Sequence, residues 1–153
     1  GMVFTMGATY PDYFAALVPI AAPLTVDQSG IDKLKNQPMW LIHTKADATV
    51  QPENSVLPLY KSLITSGATN KWFSYFETAT GTDLPGTEYD GHWAWIYFFH
   101  DQVIGVQHPE NTKNWDGYSG MVATDPTNGG GSRASVNGQT YNSIFDWMSA
   151  QRH

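Results

Sequence analysis

The chain has 153 residues, 41% hydrophobic and 14% aromatic, with no cysteine and a formal net charge of −6. That is enough apolar matter for one globular domain with a core, and it excludes an intrinsically disordered chain and a disulfide-stapled miniprotein. Lys and Arg number 8 against 14 Asp and Glu, without a basic block, which argues against a nucleic-acid surface; the longest apolar runs, 14–24 and 93–99, are too short to span a bilayer.

Val3 to Thr9 reads as a short helix of small and apolar residues, stopped at Tyr10-Pro11. Pro11 to Phe14 is a turn. Ala15 to Ala22 is a continuous apolar run closed by Pro23, and predicts a buried parallel strand. Leu24 to Gln37 is a connector with a helical piece at Ile31 to Leu34. Pro38 to His43 predicts a second buried strand, followed by a loop from Thr44 to Gln51. Pro52-Glu53 opens a helix. Val56, Leu59, Tyr60, Leu63 and Ile64 then fall at helical spacing, and Ser66-Gly67 ends the run. Pro58 predicts a kink in its first turns. Lys71 to Glu77 predicts a third strand, Thr78 to Gly91 a loop, and His92 to Phe99 another helix. Gln107 to Gln139 reads as irregular, least ordered at Gly129-Gly130-Gly131. Tyr141 to Gln151 is a closing amphipathic helix with Ile144, Phe145, Trp147 and Met148 on its apolar side. The order αβαβαβα predicts a parallel sheet with right-handed crossovers.

In open parallel sheets the working residues lie in loops at the carboxyl ends of strands. Two such loops carry chemistry here: His43 to Pro52 after the second strand, and Tyr89-Asp90-Gly91-His92-Trp93 after the third. Asp47 in the first and His92 in the second can meet above the sheet. A carboxylate bonded to an imidazole fixes its tautomer and stabilises the imidazolium, which makes His92 a candidate general base.

These residues carry a resemblance. Leu41-Ile42-His43-Thr44-Lys45-Ala46-Asp47-Ala48-Thr49-Val50-Gln51-Pro52 resembles the acid loop of α/β-hydrolases, which typically reads His-Gly-x-x-Asp-x-x-Val-Pro. Gly91-His92-Trp93-Ala94-Trp95 resembles their Gly-His-x-x-Trp segment, and the order Asp then His is the one that fold uses. Tyr10-Pro11-Asp12-Tyr13-Phe14 is similar to the turn after the nucleophile helix. The likeness runs over about residues 1–99 and the final helix. It is greatest to secreted esterases and peptidases of the polyhydroxybutyrate-depolymerase and feruloyl-esterase type. The segment at about 107–139 departs from the pattern and reads as an insertion in one partial domain spanning 1–153.

The resemblance implies an α/β fold: a three-stranded parallel sheet with flanking helices, the half with the nucleophile elbow absent. Asp47 is then the triad acid and His92 the base. Gly1-Met2-Val3-Phe4-Thr5-Met6 aligns with the stretch after the nucleophile, so the serine falls two positions before Gly1 and both usual oxyanion donors fall outside the chain. The implied activity is hydrolysis of a small-molecule or polymer ester, or of a peptide-like acyl substrate, very weak or absent in this chain alone. No cofactor or metal is implied. The strand near Ala16 to Ala21 would be left as an open apolar edge, which predicts a homodimer pairing there across a two-fold axis. Composition and resemblance together suggest a secreted or periplasmic protein.

Other residues read as background. Ser29, Ser55, Ser66, Ser119 and Ser132 do not stand in Gly-x-Ser-x-Gly. His43 reads as structural, and His100 and His108 lack zinc-site spacing. Asp125 to Gly129 does not match a calcium loop. Of the aromatics Trp93, Trp95, Tyr97, Phe98 and Phe99, Trp93 is expected to face a substrate and the rest to pack. Asp83, Glu88 and Asp90 read as a solvated loop, with Asp90 placed to tune His92. The alternative function is a non-catalytic oligomeric binding module built on the same fold. A flavodoxin-like binder is disfavoured, since no Gly-rich phosphate loop follows a strand.

Overall fold

The structure, a computed structural model, describes residues 1–80, 86–99, 135–141 and 143–152. At its centre β1 (Met39–Thr44) and β2 (Lys71–Phe76) pair in parallel, Met39 opposite Lys71 through Thr44 opposite Phe76. Every residue of both strands is buried, as expected for a parallel sheet covered on both faces. Alternation sends Met39, Leu41, Phe73 and Tyr75 into one core and Trp40, Ile42, Trp72 and Phe76 into the other.

The first predicted strand, Ala15 to Ala22, lies beside β1 and parallel to it, giving the order edge segment, β1, β2. It pairs through two bridges, Leu17 opposite Met39 and Ile20 opposite Ile42, rather than a continuous ladder. Leu17 and Ala21 donate to the carbonyls of Pro38 and Ile42, at 2.9 and 3.0 Å, while Trp40 and Ile42 donate back to Leu17 and Pro19, both at 3.0 Å. Pro19 falls between them and has no N–H to give, so the ladder is interrupted there. Ala21 then adopts a φ of 44°, which turns the chain off the sheet. On the outer side the N–H groups of Ala16, Val18 and Ile20 have no backbone partner among the described residues.

Three helices cover the first face: α1 (Met2–Thr9), α2 (Gln28–Leu34) and α3 (Val56–Thr65). Phe4, Leu34, Leu59 and Leu63 are completely buried there. Such a side chain contributes about 1.5–3 kcal/mol on burial. α2 begins earlier than its apolar residues suggest because Asp27 caps it, accepting from Gly30 N–H at 3.0 Å. Pro52 opens only a 3₁₀ turn, Pro52–Asn54. Pro58 falls in the first turn of α3, where its missing N–H costs no helical bond, and the helix is continuous through it.

The second face carries α4 (Trp95–Phe99) and α5 (Ile144–Ala150). The helix expected from His92 is split: a 3₁₀ turn at Gly91–Trp93 precedes α4. The expected loop before it contains a two-residue antiparallel pair, β3 (Ala79–Thr80) with β4 (Glu88–Tyr89). A second hairpin, β5 (Ser135–Val136) with β6 (Gln139–Thr140), occupies the end of the segment read as irregular. Asn137 and Gly138 turn it with φ of 53° and 80°, the two positive values of a type I′ turn. The remaining expectations for 100–134, including His100, His108, Ser119, Ser132 and the Asp125 to Gly129 loop, lie outside the described residues, as does Asp83.

α5 starts at Ser143, whose hydroxyl accepts from Asp146 N–H at 3.2 Å. Ile144 and Trp147 are completely buried, whereas Phe145 is 42% exposed. Trp147 meets Trp40 edge-on, with centroids 5.5 Å apart. Asn70, with φ 53°, ties helix to sheet: its Oδ1 accepts from the indoles of Trp72 (2.8 Å) and Trp147 (3.1 Å), and its Nδ2 donates to Gln151 (2.9 Å). At the start of β2, Lys71 is fully buried, and its ammonium donates to the carbonyls of Lys35 and Thr69, both at 3.0 Å, and of Gln37. Among the described residues no helix is long and apolar enough to cross a membrane.

Candidate active site

β1 and β2 end side by side, so the loops that follow them start as neighbours. Lys45 and Ala46 prolong the ladder past β1, donating to the Phe76 and Glu77 carbonyls at 2.8 and 3.1 Å. The chain then folds back around Asp47. Its Oδ1 accepts from the N–H groups of Thr49 (2.9 Å) and Val50 (2.7 Å), the local turn that aspartate favours. Its side chain is completely buried.

The second loop is pressed onto the first. Thr44 Oγ1 donates to the Gly91 carbonyl at 2.6 Å. A Cβ at Gly91 would lie 2.3 Å from the carbonyl carbon and oxygen of Ala46 and 2.6 Å from Asp47 N. No side chain fits that gap, so glycine is what lets the two backbones touch. Asp90 caps the 3₁₀ turn, accepting from His92 N–H at 2.8 Å.

This seating brings together two residues 45 positions apart in sequence: His92 Nδ1 lies 2.9 Å from Asp47 Oδ2. The carboxylate can only accept, so the imidazole proton sits on Nδ1 and the Nε2 lone pair is left to act. The His92 side chain is 28% exposed, and its Nε2 meets no hydroxyl among the described residues. Such a nitrogen can take a proton from an oxygen nucleophile and return it to a leaving group.

Aromatic rings flank this base. Trp95, not Trp93, touches the His92 ring, edge-on at 5.5 Å. Trp93 stands one ring further out, stacked between Tyr89 (5.5 Å) and Trp95 (6.2 Å), and is 44% exposed. Tyr97 is buried and anchors α4, its hydroxyl donating to the Thr78 carbonyl at 2.8 Å and accepting from Thr80 N–H at 2.6 Å. Phe99 is exposed. The acid loop also walls an open cleft of about 370 Å³ with Pro23 and Leu24. A larger cavity of about 430 Å³ lies at the other end of β1, around Pro38, away from His92.

Sequence reasoning assigned His43 only a structural part. It is completely buried, and its Nε2 lies 3.2 Å from Asp47 Oδ2 and 2.8 Å from the Val50 carbonyl oxygen. Burial holds this imidazole below the usual histidine range. Its place four residues before Asp47, at the end of a strand, was the available signal. Ser55 and Ser74 are buried in other bonds, to Gln51 and from Trp40. Among the described residues no group of three or more His, Asp or Glu side chains is arranged to hold a metal ion.

A parallel sheet wrapped by helices, with a carboxylate after one strand meeting an imidazole after the next, is part of an α/β-hydrolase fold. A solved structure, that of a thermostable esterase, supports an esterase-like form of it, with a TM-score of 0.54 and 27% sequence identity. The match covers 66% of this chain and 25% of that one, so the chain spans a quarter of the esterase's length. No protein-family model matches the sequence, and no curated protein does.

Proposed function

We propose that this chain supplies the acid and base of a serine acyl hydrolase acting on an ester. The observation that carries the reading is the 2.9 Å contact of His92 Nδ1 with a fully buried Asp47 carboxylate, in an esterase-like fold. Asp47 orients His92. His92 Nε2 takes the proton of a serine hydroxyl as that oxygen attacks the ester carbonyl, then gives it to the departing alkoxide. On this reading the serine and its oxyanion donors come from outside this chain. The Tyr89–Trp93–Trp95 stack offers an apolar flank for the substrate, with Trp93 its exposed member. The finer likeness, to polyhydroxybutyrate depolymerases and feruloyl esterases, belongs to this proposal.

The test is p-nitrophenyl acetate hydrolysis by the chain as it stands, and by the chain with an esterase's strand and Gly-x-Ser-x-Gly elbow joined ahead of Gly1. The chain alone shows no turnover that His92→Ala abolishes. The folded fusion gains turnover, which His92→Ala or Asp47→Asn reduces by about 10²–10⁴-fold. A folded fusion whose turnover ignores His92 refutes the reading. Turnover by the bare chain that depends on His92 refutes the placement of the serine.

A second reading is favoured by the outward N–H groups of Ala16, Val18 and Ile20, which have no backbone partner among the described residues. An unpaired edge of this kind invites another strand. Here the chain acts as a non-catalytic module, a homodimer whose sheet continues across this edge. Light scattering gives the mass of a dimer on this reading, and Val18→Lys returns it to a monomer. A monodisperse wild-type monomer counts against it.

A further inference from the structure

Two imidazoles, not one, reach Asp47 Oδ2: His92 Nδ1 at 2.9 Å and His43 Nε2 at 3.2 Å. The other oxygen, Oδ1, is already held by the N–H groups of Thr49 and Val50. His43 Nε2 has a second neighbour, the Val50 carbonyl oxygen at 2.8 Å. Both neighbours are acceptors, so the one N–H of a neutral His43 must be on Nε2. Its Nδ1 is buried without a partner. A bare lone pair there is tolerable, whereas the second N–H of an imidazolium would be a buried donor with nothing to bond. The charged groups that face this ring are Asp47 and Glu53, which favour protonation, and His92, which opposes it.

Two hydrogen bonds and the 3.2 Å contact close a ring around one peptide unit. Val50 donates its N–H to Asp47 and its carbonyl accepts from His43. His43 sits at the end of a fully buried strand and is therefore the rigid member of the ring. Without it the Val50 carbonyl loses its donor, and the turn that holds Asp47 Oδ1 loses its tie to the strand.

We propose that His43 is a positioning residue for the Asp47–His92 pair: its single Nε2–H, donated to the Val50 carbonyl beside Asp47 Oδ2, holds the turn whose N–H groups grip Asp47 and so fixes the oxygen that Asp47 presents to His92. This rests on reading Asp47 and His92 as an acid–base pair. It adds a fourth residue, acting through Asp47 and never touching substrate.

The experiment is nitrogen-15 NMR of the full chain labelled in histidine, which reads tautomers directly and needs no turnover. His43 shows a protonated Nε2 and a bare Nδ1, unchanged from about pH 8 down to about pH 5.5, where an ordinary histidine charges. His92 shows a hydrogen-bonded Nδ1–H. In His43→Phe that proton exchanges with water about tenfold faster, the loss of roughly one hydrogen bond's protection. His43→Gln, which keeps an N–H donor, restores part of it. A proton on His43 Nδ1, or a His43 that charges across this range, overturns the proposal. So does a His92 Nδ1–H that exchanges equally in the wild type and both folded variants. Should His43→Phe fail to fold, the wild-type tautomer and the His43→Gln exchange rate still decide. Absence of a bonded His92 Nδ1–H in the wild type would instead sink the acid–base reading itself.

Discussion

At Gly91 one loop's backbone rests on another's, and the Asp47–His92 contact depends on that approach. Gly91→Ala must move the Ala46–Asp47 peptide or its own turn, because the new carbon meets backbone and not the end of a flexible side chain. The expected cost is about 2–4 kcal/mol of stability, read by urea denaturation, together with loss of the bonded His92 Nδ1–H signal. A variant as stable as wild type, with that signal intact, would show the two loops to be looser than described. Asp47, Gly91 and His92 were legible in the sequence because they stand in short motifs whose spacing reflects this packing. His43 and Thr44 were not. A histidine and a threonine ending an apolar strand look like ordinary strand residues, and their bonds to Val50 and Gly91 follow from how the loops fold back.

Among the elements, α5 is joined to the sheet by a polar pin set in an apolar contact. Asn70 serves two buried indoles and Gln151 while holding a left-handed backbone. Asn70→Ala removes the acceptor that both indole N–H groups share and strains the backbone, so a loss of about 2–4 kcal/mol is expected by thermal or urea unfolding. Asn70→Asp keeps the acceptor for both indoles and gives up only the donation to Gln151, so its loss should be smaller. Equal losses in the two would mean that the indole bonds contribute little. The two buried strands and α3 could be read from their apolar patterns. The edge segment could be read as extended but not as interrupted, since the bond lost at Pro19 depends on which side of the strand faces β1. The pair β3–β4 is two residues long in each arm, below what alternation can signal. The Asn137-Gly138 turn was visible as a dipeptide and is a strong hairpin signal, yet its segment was read as irregular.

For the molecule as a whole, Lys71 links folding to pH. At the head of β2 it is buried among three carbonyls. Burial lowers its pKa from 10.5 to about 8. Between those values the unfolded chain binds more protons than the native one, so this group makes stability rise with pH from about 8 towards 10.5. Tyr60 and Tyr75, whose hydroxyls burial pushes up, give the opposite slope above about pH 10. The rise should therefore show in urea midpoints between about pH 8 and 9.5 and be absent in Lys71→Met. That variant should also lose about 1–3 kcal/mol through the carbonyls left without a donor. An unchanged slope in Lys71→Met would assign the rise to other groups. The crossed contact of Trp40 with Trp147 has a different kind of consequence. Two indoles so close and so nearly perpendicular share their electronic excitation, and their coupled absorption gives paired circular-dichroism bands of opposite sign. The share of this pair would vanish as soon as the last helix lifted from the sheet, leaving that of Trp93 and Trp95. Docking of α5 on the sheet thus has its own optical gauge, readable without a label or a substrate.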